Sequence, residues 1–304
     1  MNQPNLFIVG APKCGTSSLY YYLNQHADIS MSFPKEPHFL AQDLGWQKGW
    51  GMEDREQYLN LFQSNARYRG EASTWYLYSD LARTSIKELF PDSKIIICIR
   101  HPANFIASLW WHLFSRDKET SRNLETALRL EPQIKSGKLS PQPAPFKRAR
   151  MYKENARHSA FIAKYVETFG VANVKIILLE DLNKSTQSVL NEVFQFLGLR
   201  TQMIEDLEHQ NAANSRAIVA LYKIVSVPPL KALLSSKSLI PAKRYLTHLV
   251  YKCIPNKPQR PKVGGILWEK ITQDMAGEIQ SIENLLVRDL SHWKAPYSVE
   301  KELL

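Results

Sequence analysis

The chain has 304 residues, 44% hydrophobic and 22% charged, which suits one enlarged α/β domain and argues against a disordered chain. Its formal net charge of +10 favours anionic partners, such as nucleotides, sulfated sugars or phospholipid surfaces, without choosing among them. Cys14, Cys98 and Cys253 are scattered and odd in number, which excludes a disulfide framework and a cysteine metal cluster and suits a reducing, cytoplasmic compartment. No run approaches the roughly 18 apolar residues of a membrane span, and the apolar stretch 6–9 is too short for a signal peptide.

In chain order, residues 6–10 read as a buried strand that runs into a Gly- and Ser-containing turn, and residues 16–25 as a helix. Residues 79–89 are helical. Residues 94–100 form a β-branched strand that stops at His101 and Pro102. Residues 136–150, rich in Pro, Lys and Arg, read as a loop. A helix over 152–169 ends at Gly170 as its C-cap, a strand follows over 174–180, and a helix over 186–197 stops at Gly198. Residues 225–265 are basic and proline-rich, with Pro228 and Pro229 adjacent, and read as a candidate lid, insertion or membrane-surface contact. Helical periodicity returns over 269–290. The alternation predicts an α/β fold, a P-loop-NTPase-like doubly wound parallel sheet with helices on both faces, in a single domain over residues 1–304.

The strongest motif is Gly10-Ala-Pro-Lys-Cys-Gly15-Thr-Ser-Ser18, placed between a strand and a helix. Backbone N–H groups in such a turn converge on anionic oxygens, and the helix N-terminus adds its positive end. Gly10 and Gly15 match the loop G-x-x-x-x-G-K-[ST] of nucleotide triphosphatases, and Ser17 sits at its hydroxyl position. Thr16 occupies the lysine position, and Lys13 inside the loop is its only lysine. That arrangement argues for an anhydride other than a β,γ-triphosphate. The alternative, a turn that merely joins strand to helix, is disfavoured by this context.

With this loop, two further motifs resemble the family of sulfotransferases that use 3′-phosphoadenosine 5′-phosphosulfate (PAPS). Pro12-Lys-Cys-Gly-Thr-Ser-Ser-Leu19 is similar to their 5′-phosphosulfate loop. Lys35-Glu-Pro-His-Phe-Leu40 is similar to a Lys-Glu-x-His-Phe-Phe segment of the heparan sulfate 3-O-sulfotransferase group. Arg100-His-Pro-Ala-Asn-Phe-Ile-Ala-Ser108 resembles the 3′-phosphate motif. Weaker likenesses cover Gly70 to Tyr76, Glu180 to Leu182, Phe196 to Leu199 and Asp289 to Trp293. Ala72 stands where heparan-type enzymes often carry a substrate-positioning Lys, which argues against a heparan-like acceptor.

The resemblance implies transfer of a sulfuryl group from PAPS to an acceptor hydroxyl or amine, on a sugar or glycolipid, leaving 3′-phosphoadenosine 5′-phosphate. It implies no metal and no nucleic-acid partner. Lys13 would meet the leaving phosphate, whose growing charge a fixed ammonium stabilises. Lys13, Cys14, Gly15, Thr16 and Ser17 would bind the 5′-phosphate, and Arg100 with Ser108 the 3′-phosphate. Glu36 is the candidate general base, an ordinary loop carboxylate being the alternative. His112, one helical turn past Ser108, would bind sulfate or assist proton transfer, with a structural histidine as the alternative. His38 is a further candidate, and Arg216 or Lys262 could complete the 3′-phosphate pocket. Two competing readings are a P-loop kinase or NTPase, with Glu180 and Asp181 as magnesium acids, and a non-catalytic polyanion- or membrane-binding module carried by residues 231–262.

Overall fold

The computed structural model describes residues 3–46, 51–141, 144–207 and 265–296. Five parallel strands form one sheet in the order β2-β3-β1-β4-β5. They are β1 (Leu6–Gly10), β2 (Ile29–Met31), β3 (Tyr68–Glu71), β4 (Lys94–Ile99) and β5 (Val174–Leu178). β1 lies at the centre with all five residues buried, so helices cover both faces of the sheet there. The expected α/β parallel architecture is the one observed, and all strands deliver their carboxyl ends to one edge. The chain runs from β1 outward to β2, back to β3, and across β1 to β4. The crevice where connections leave β1 and β4 in opposite directions is the switch point at which open α/β sheets bind ligands.

Each strand feeds a helix: α1 (Thr16–Leu23) after β1, α2 (Arg55–Leu59) and α3 (Asp80–Leu89) on either side of β3, and α4 (Pro102–Phe114) after β4. α3 begins at Ser79, whose hydroxyl accepts from Ala82 N–H. α5 (Leu124–Lys135) lies within the region preceding the predicted loop, and that loop holds a short 3₁₀ turn at Lys147–Arg150. The last of its basic residues is not solvated. Arg150 is buried and forks onto Glu119 at 2.9 and 2.8 Å, and Tyr152 donates to the same carboxylate at 2.6 Å.

The helix expected over 152–169 is two helices, α6 (Tyr152–Asn155) and α7 (His158–Phe169). Two distant carboxylates break it. Glu131 accepts the Lys153 and Glu154 amides at 3.0 and 3.1 Å, and Glu278 accepts the Ser159 amide at 2.8 Å. Each caps its own helix N-terminus, an interaction no local periodicity encodes. β5 leads into α8 (Leu179–Lys184) and α9 (Thr186–Phe196). The later helical stretch likewise divides, into α10 (Gly265–Asp274) and α11 (Ala276–Leu286) around buried Met275, followed by α12 (Ser291–Lys294).

The segment 225–265 lies outside the described residues save for Gly265, as do Arg216 and Lys262. Among the described residues no helix is long and apolar enough to cross a membrane.

Candidate active site

β1 ends at Gly10, where a Cβ would stand 2.7 Å from the Thr74 carbonyl oxygen and from the Leu77 Cβ. The chain turns there, and the Cys14 N–H donates to the Ala11 carbonyl at 3.3 Å. Gly15 then adopts φ 82° as the N-cap of α1. A Cβ on it would lie 2.6 Å from Leu179 Cδ1, so both conformation and space require glycine. No side chain caps α1 and no acidic residue stands in its first turn. Its leading amides, beside buried Thr16 and half-buried Ser17, form an uncapped positive end. Because the Cys14 amide helps close the turn, the cradle's donors begin at Gly15. The Cys14 thiol is buried, which pushes its pKa up to about 12, so this cysteine packs and is no nucleophile.

Arg100 follows β4 directly and is buried. Its Nη1 donates to the Lys13 carbonyl at 3.3 Å, tying the two loops together. Its Nε is buried without a partner among the described residues. A buried guanidinium N–H is costly to leave unmade, and a phosphate oxygen would satisfy it. The residues therefore fit an adenosine bisphosphate: an amide cradle at one loop, and an under-satisfied guanidinium at the next.

α4 carries Ser108, buried two turns after Arg100, and His112 one turn further. The start of α4 is clamped from the C-terminal helices. The His101 Nδ1 accepts the Ala103 N–H at 3.1 Å, which leaves the Nε2 proton to donate to the Trp293 carbonyl at 2.9 Å. Its ring stacks on Trp268 at 4.6 Å, and the Trp268 indole N–H donates to Asn104 at 3.0 Å. Glu180 accepts from Trp293 Nε1 at 2.8 Å and meets His292 at 2.7 Å. Asp181 pairs with both Arg288 terminal nitrogens. The two acids that a kinase reading assigns to magnesium are thus committed elsewhere, Glu180 to α12 and Asp181 to Arg288 ahead of it.

Lys13, Glu36 and His112 come within mutual electrostatic reach, together with Lys35 and Arg116. Lys13 adopts φ 66°. Burial, followed by Arg116, lowers its ammonium pKa to about 8, against an opposing pull from Glu36. Burial works against ionising Glu36, yet the adjacent Lys35 ammonium at 2.5 Å and then the His38 ring at 3.4 Å hold its carboxyl well below the usual range. His112 is driven well below the ordinary imidazole value by burial, then by Lys13 and Arg116. It is neutral at neutral pH. The Arg116 guanidinium, which can only donate, lies against its ring nitrogens.

Sequence reasoning assigned no role to Lys35 and passed over Arg116. Arg116 had a legible signal: it continues the four-residue series Ser108, His112 along one face.

Comparison with known proteins gives the family. Residues 3–219 match the family model described as the sulfotransferase domain. The chain belongs to that family, in which PAPS is the typical cosubstrate, and the kinase reading falls with that assignment. It is 24% identical over 209 residues to the bifunctional heparan sulfate N-deacetylase/N-sulfotransferase 1 of Xenopus laevis, covering 66% of this chain and 23% of that protein. To carbohydrate sulfotransferase 15 of Mus musculus it is 24% identical over 249 residues, covering 64% of this chain and 44% of that protein. The chain thus spans about a quarter of the first relative's length and less than half of the second's. The crystal structure of a sulfotransferase from Alicyclobacillus acidocaldarius superposes with a TM-score of 0.71 at 25% identity, over 97% of this chain and 100% of that one.

Proposed function

We propose that this sulfotransferase acts on a hydroxyl or amine of a carbohydrate or glycolipid, with Glu36 as general base and Lys13 as the group that stabilises the leaving phosphate. The observation that carries the reading is the convergence of Lys13, Glu36 and His112 beside an uncapped amide cradle. The carbohydrate relatives, distant as they are, support the acceptor class.

PAPS supplies a sulfuryl group bound to a phosphate leaving group. Gly15, Thr16 and Ser17 would hold its 5′-phosphate, with Cys14 shaping the turn, and Arg100 and Ser108 its 3′-phosphate. Glu36, ionised at neutral pH and held by Lys35 and His38, takes the acceptor proton as the new bond to sulfur forms. Lys13, protonated below about pH 8, sets a positive charge where negative charge develops on the 5′-phosphate oxygen as its bond to sulfur breaks. Neutral His112 can donate a hydrogen bond to a sulfuryl oxygen without competing with Lys13 for the proton.

We further read residues 1–304 as one domain with 225–265 as a lid or acceptor-binding insertion, working in the reducing cytoplasm. Cys14 and Cys98 are both free and buried, which is consistent with that compartment.

The test is thermal stability with and without 3′-phosphoadenosine 5′-phosphate, in EDTA. A ligand that binds only the folded state, at a hundredfold excess over its dissociation constant, adds about 2.7 kcal/mol. A shift in the wild type that shrinks in Arg100→Ala supports the site. A shift with magnesium-ATP alone would overturn it. Acceptor class is then read by offering sugar, glycolipid and phenolic acceptors with radiolabelled PAPS, and a phenol-only product would remove the carbohydrate reading.

A further inference from the structure

Glu36 at φ 61° and His38 at φ 53° occupy the left-handed region, which non-glycine residues adopt only when their surroundings over-determine it. The determining contacts come from beneath the loop. The His38 N–H donates to Ser73 Oγ at 2.9 Å, and the Leu40 N–H donates to the Tyr76 hydroxyl at 3.0 Å. Each hydroxyl thus spends its oxygen on the loop and must send its proton elsewhere.

Both hydroxyls meet one carboxylate, and they also lie within hydrogen-bond reach of each other. Ser73 Oγ donates to Glu71 Oε1 at 2.5 Å, and the Tyr76 hydroxyl bonds the same carboxylate. The Tyr58 hydroxyl donates to Glu71 Oε2. Glu71 ends β3 and is fully buried. Burial raises the Glu71 pKa, and the three hydroxyl donors oppose it by favouring the ionised form, which can only accept.

We propose that Glu71 is a positioning residue for the sulfuryl-transfer reaction: it orients the Ser73 and Tyr76 hydroxyls so that they grip the amides of residues 38 and 40 and hold Glu36 in its strained, productive place. The proposal rests on the reading of Glu36 as base. Glu71 touches neither acceptor nor PAPS. Its effect passes through two hydroxyl relays, each of which reverses or fails if its carboxylate terminus becomes a donor. Such a reversal sets a hydroxyl proton against a backbone N–H, and buried donors facing one another are costly.

The experiment uses Glu71→Gln, Ser73→Ala and Tyr76→Phe in the full chain, with amide hydrogen exchange and steady-state kinetics. In Glu71→Gln the amides of His38 and Leu40 exchange faster while those of β1 and α1 do not change. Ser73→Ala releases the His38 amide alone and Tyr76→Phe the Leu40 amide alone, so the relays remain testable if Glu71→Gln folds poorly. Turnover in Glu71→Gln falls on the order of 10- to 100-fold, the size of loss expected from a small misplacement, with KM for PAPS within about twofold. Combined with Glu36→Gln, the second substitution costs nothing more, because both act at one group.

Unchanged exchange at both amides overturns the relay. A loss from Glu71→Gln that multiplies with that of Glu36→Gln overturns the positioning role and leaves a merely structural one. If Glu36→Gln alone keeps wild-type turnover, it is the base assignment that fails, and amide exchange still decides the relay.

Discussion

Residues 10–18 hold their shape through the backbone: a strand end, a turn closed by its own amide, a left-handed glycine and a helix N-terminus follow within nine positions. Residues 35–40 hold theirs through side chains sent from β3 and its following turn, more than 30 positions away in sequence. Both loops carry a non-glycine residue at positive φ, Lys13 in one and Glu36 in the other. The first can be strained cheaply because its donors are for the ligand. The second needs a buried polar network to stay in place. A cradle written locally, with Arg100 as its remote side-chain tie, should tolerate most changes elsewhere, whereas the base loop should fail when a remote partner changes.

The largest expected effect lies at the base loop. Glu36→Gln keeps the shape of the side chain and removes the proton acceptor, so turnover should fall on the order of 10²–10⁴-fold with PAPS binding retained. Lys13→Ala should follow, at roughly 10²–10³-fold, the usual loss of one transition-state charge partner. Measurement of kcat and of bisphosphate affinity for both variants separates the loops. If Glu36→Gln weakened bisphosphate binding as much as it slowed turnover, the division of labour between cradle and base loop would collapse.

A smaller effect concerns the cradle's geometry. Gly15→Ala places a Cβ 2.6 Å from Leu179 Cδ1 at a residue with φ 82°. Strain and crowding of this kind cost roughly 1–3 kcal/mol, to be read from the denaturant midpoint. Gly137 has φ 77° with open space around it, so Gly137→Ala isolates the backbone share and should cost less.

The same contrast explains what could be read from sequence. The cradle was legible because its logic is contiguous: apolar strand, Gly10, Lys13, Gly15, helix. The positions of Arg100 and Ser108, at a strand end and on the following helix, were legible from their spacing. β2 and β3 were missed, since they are three and four residues long and β3, Tyr-Arg-Gly-Glu, shows no apolar period. With β3 unread, Glu71 was only part of a weak likeness and its grip on the base loop was invisible. The break between α6 and α7 was hidden for the same reason, because Glu131 and Glu278 come from other elements.

Lys13 also gives the pH dependence its sign. Its pKa near 8 means the cation is present below that pH and lost above it, so kcat/KM should fall through about pH 8 on the alkaline side. Glu36 is ionised well below the usual carboxylate range, so no acid limb should appear near neutrality. Lys13→Arg, whose guanidinium stays charged, should remove the alkaline limb even if it lowers the plateau. Bound PAPS brings anions to the ammonium and raises its pKa, so the limb in kcat should lie above that in kcat/KM.

The smallest effect is an expected absence of reaction at the cradle's own thiol. Cys14 stands one residue before a helix N-terminus and near Arg100 and Lys13, the setting that elsewhere makes a reactive thiolate. Burial outweighs those charges and pushes its pKa up to about 12. At pH 8 the thiolate fraction is then about 10⁻⁴, and the sulfur has no exposed surface from which to meet a reagent. Iodoacetamide should leave Cys14 unmodified in the native protein over hours, by mass mapping, and alkylate it at once in denaturant. Rapid native labelling would mean that the turn opens on its own, and the cradle would then owe its shape to the ligand and not to its backbone. Protection would place the rigidity in the nine residues themselves and leave the base loop as the part of the site that depends on distant contacts.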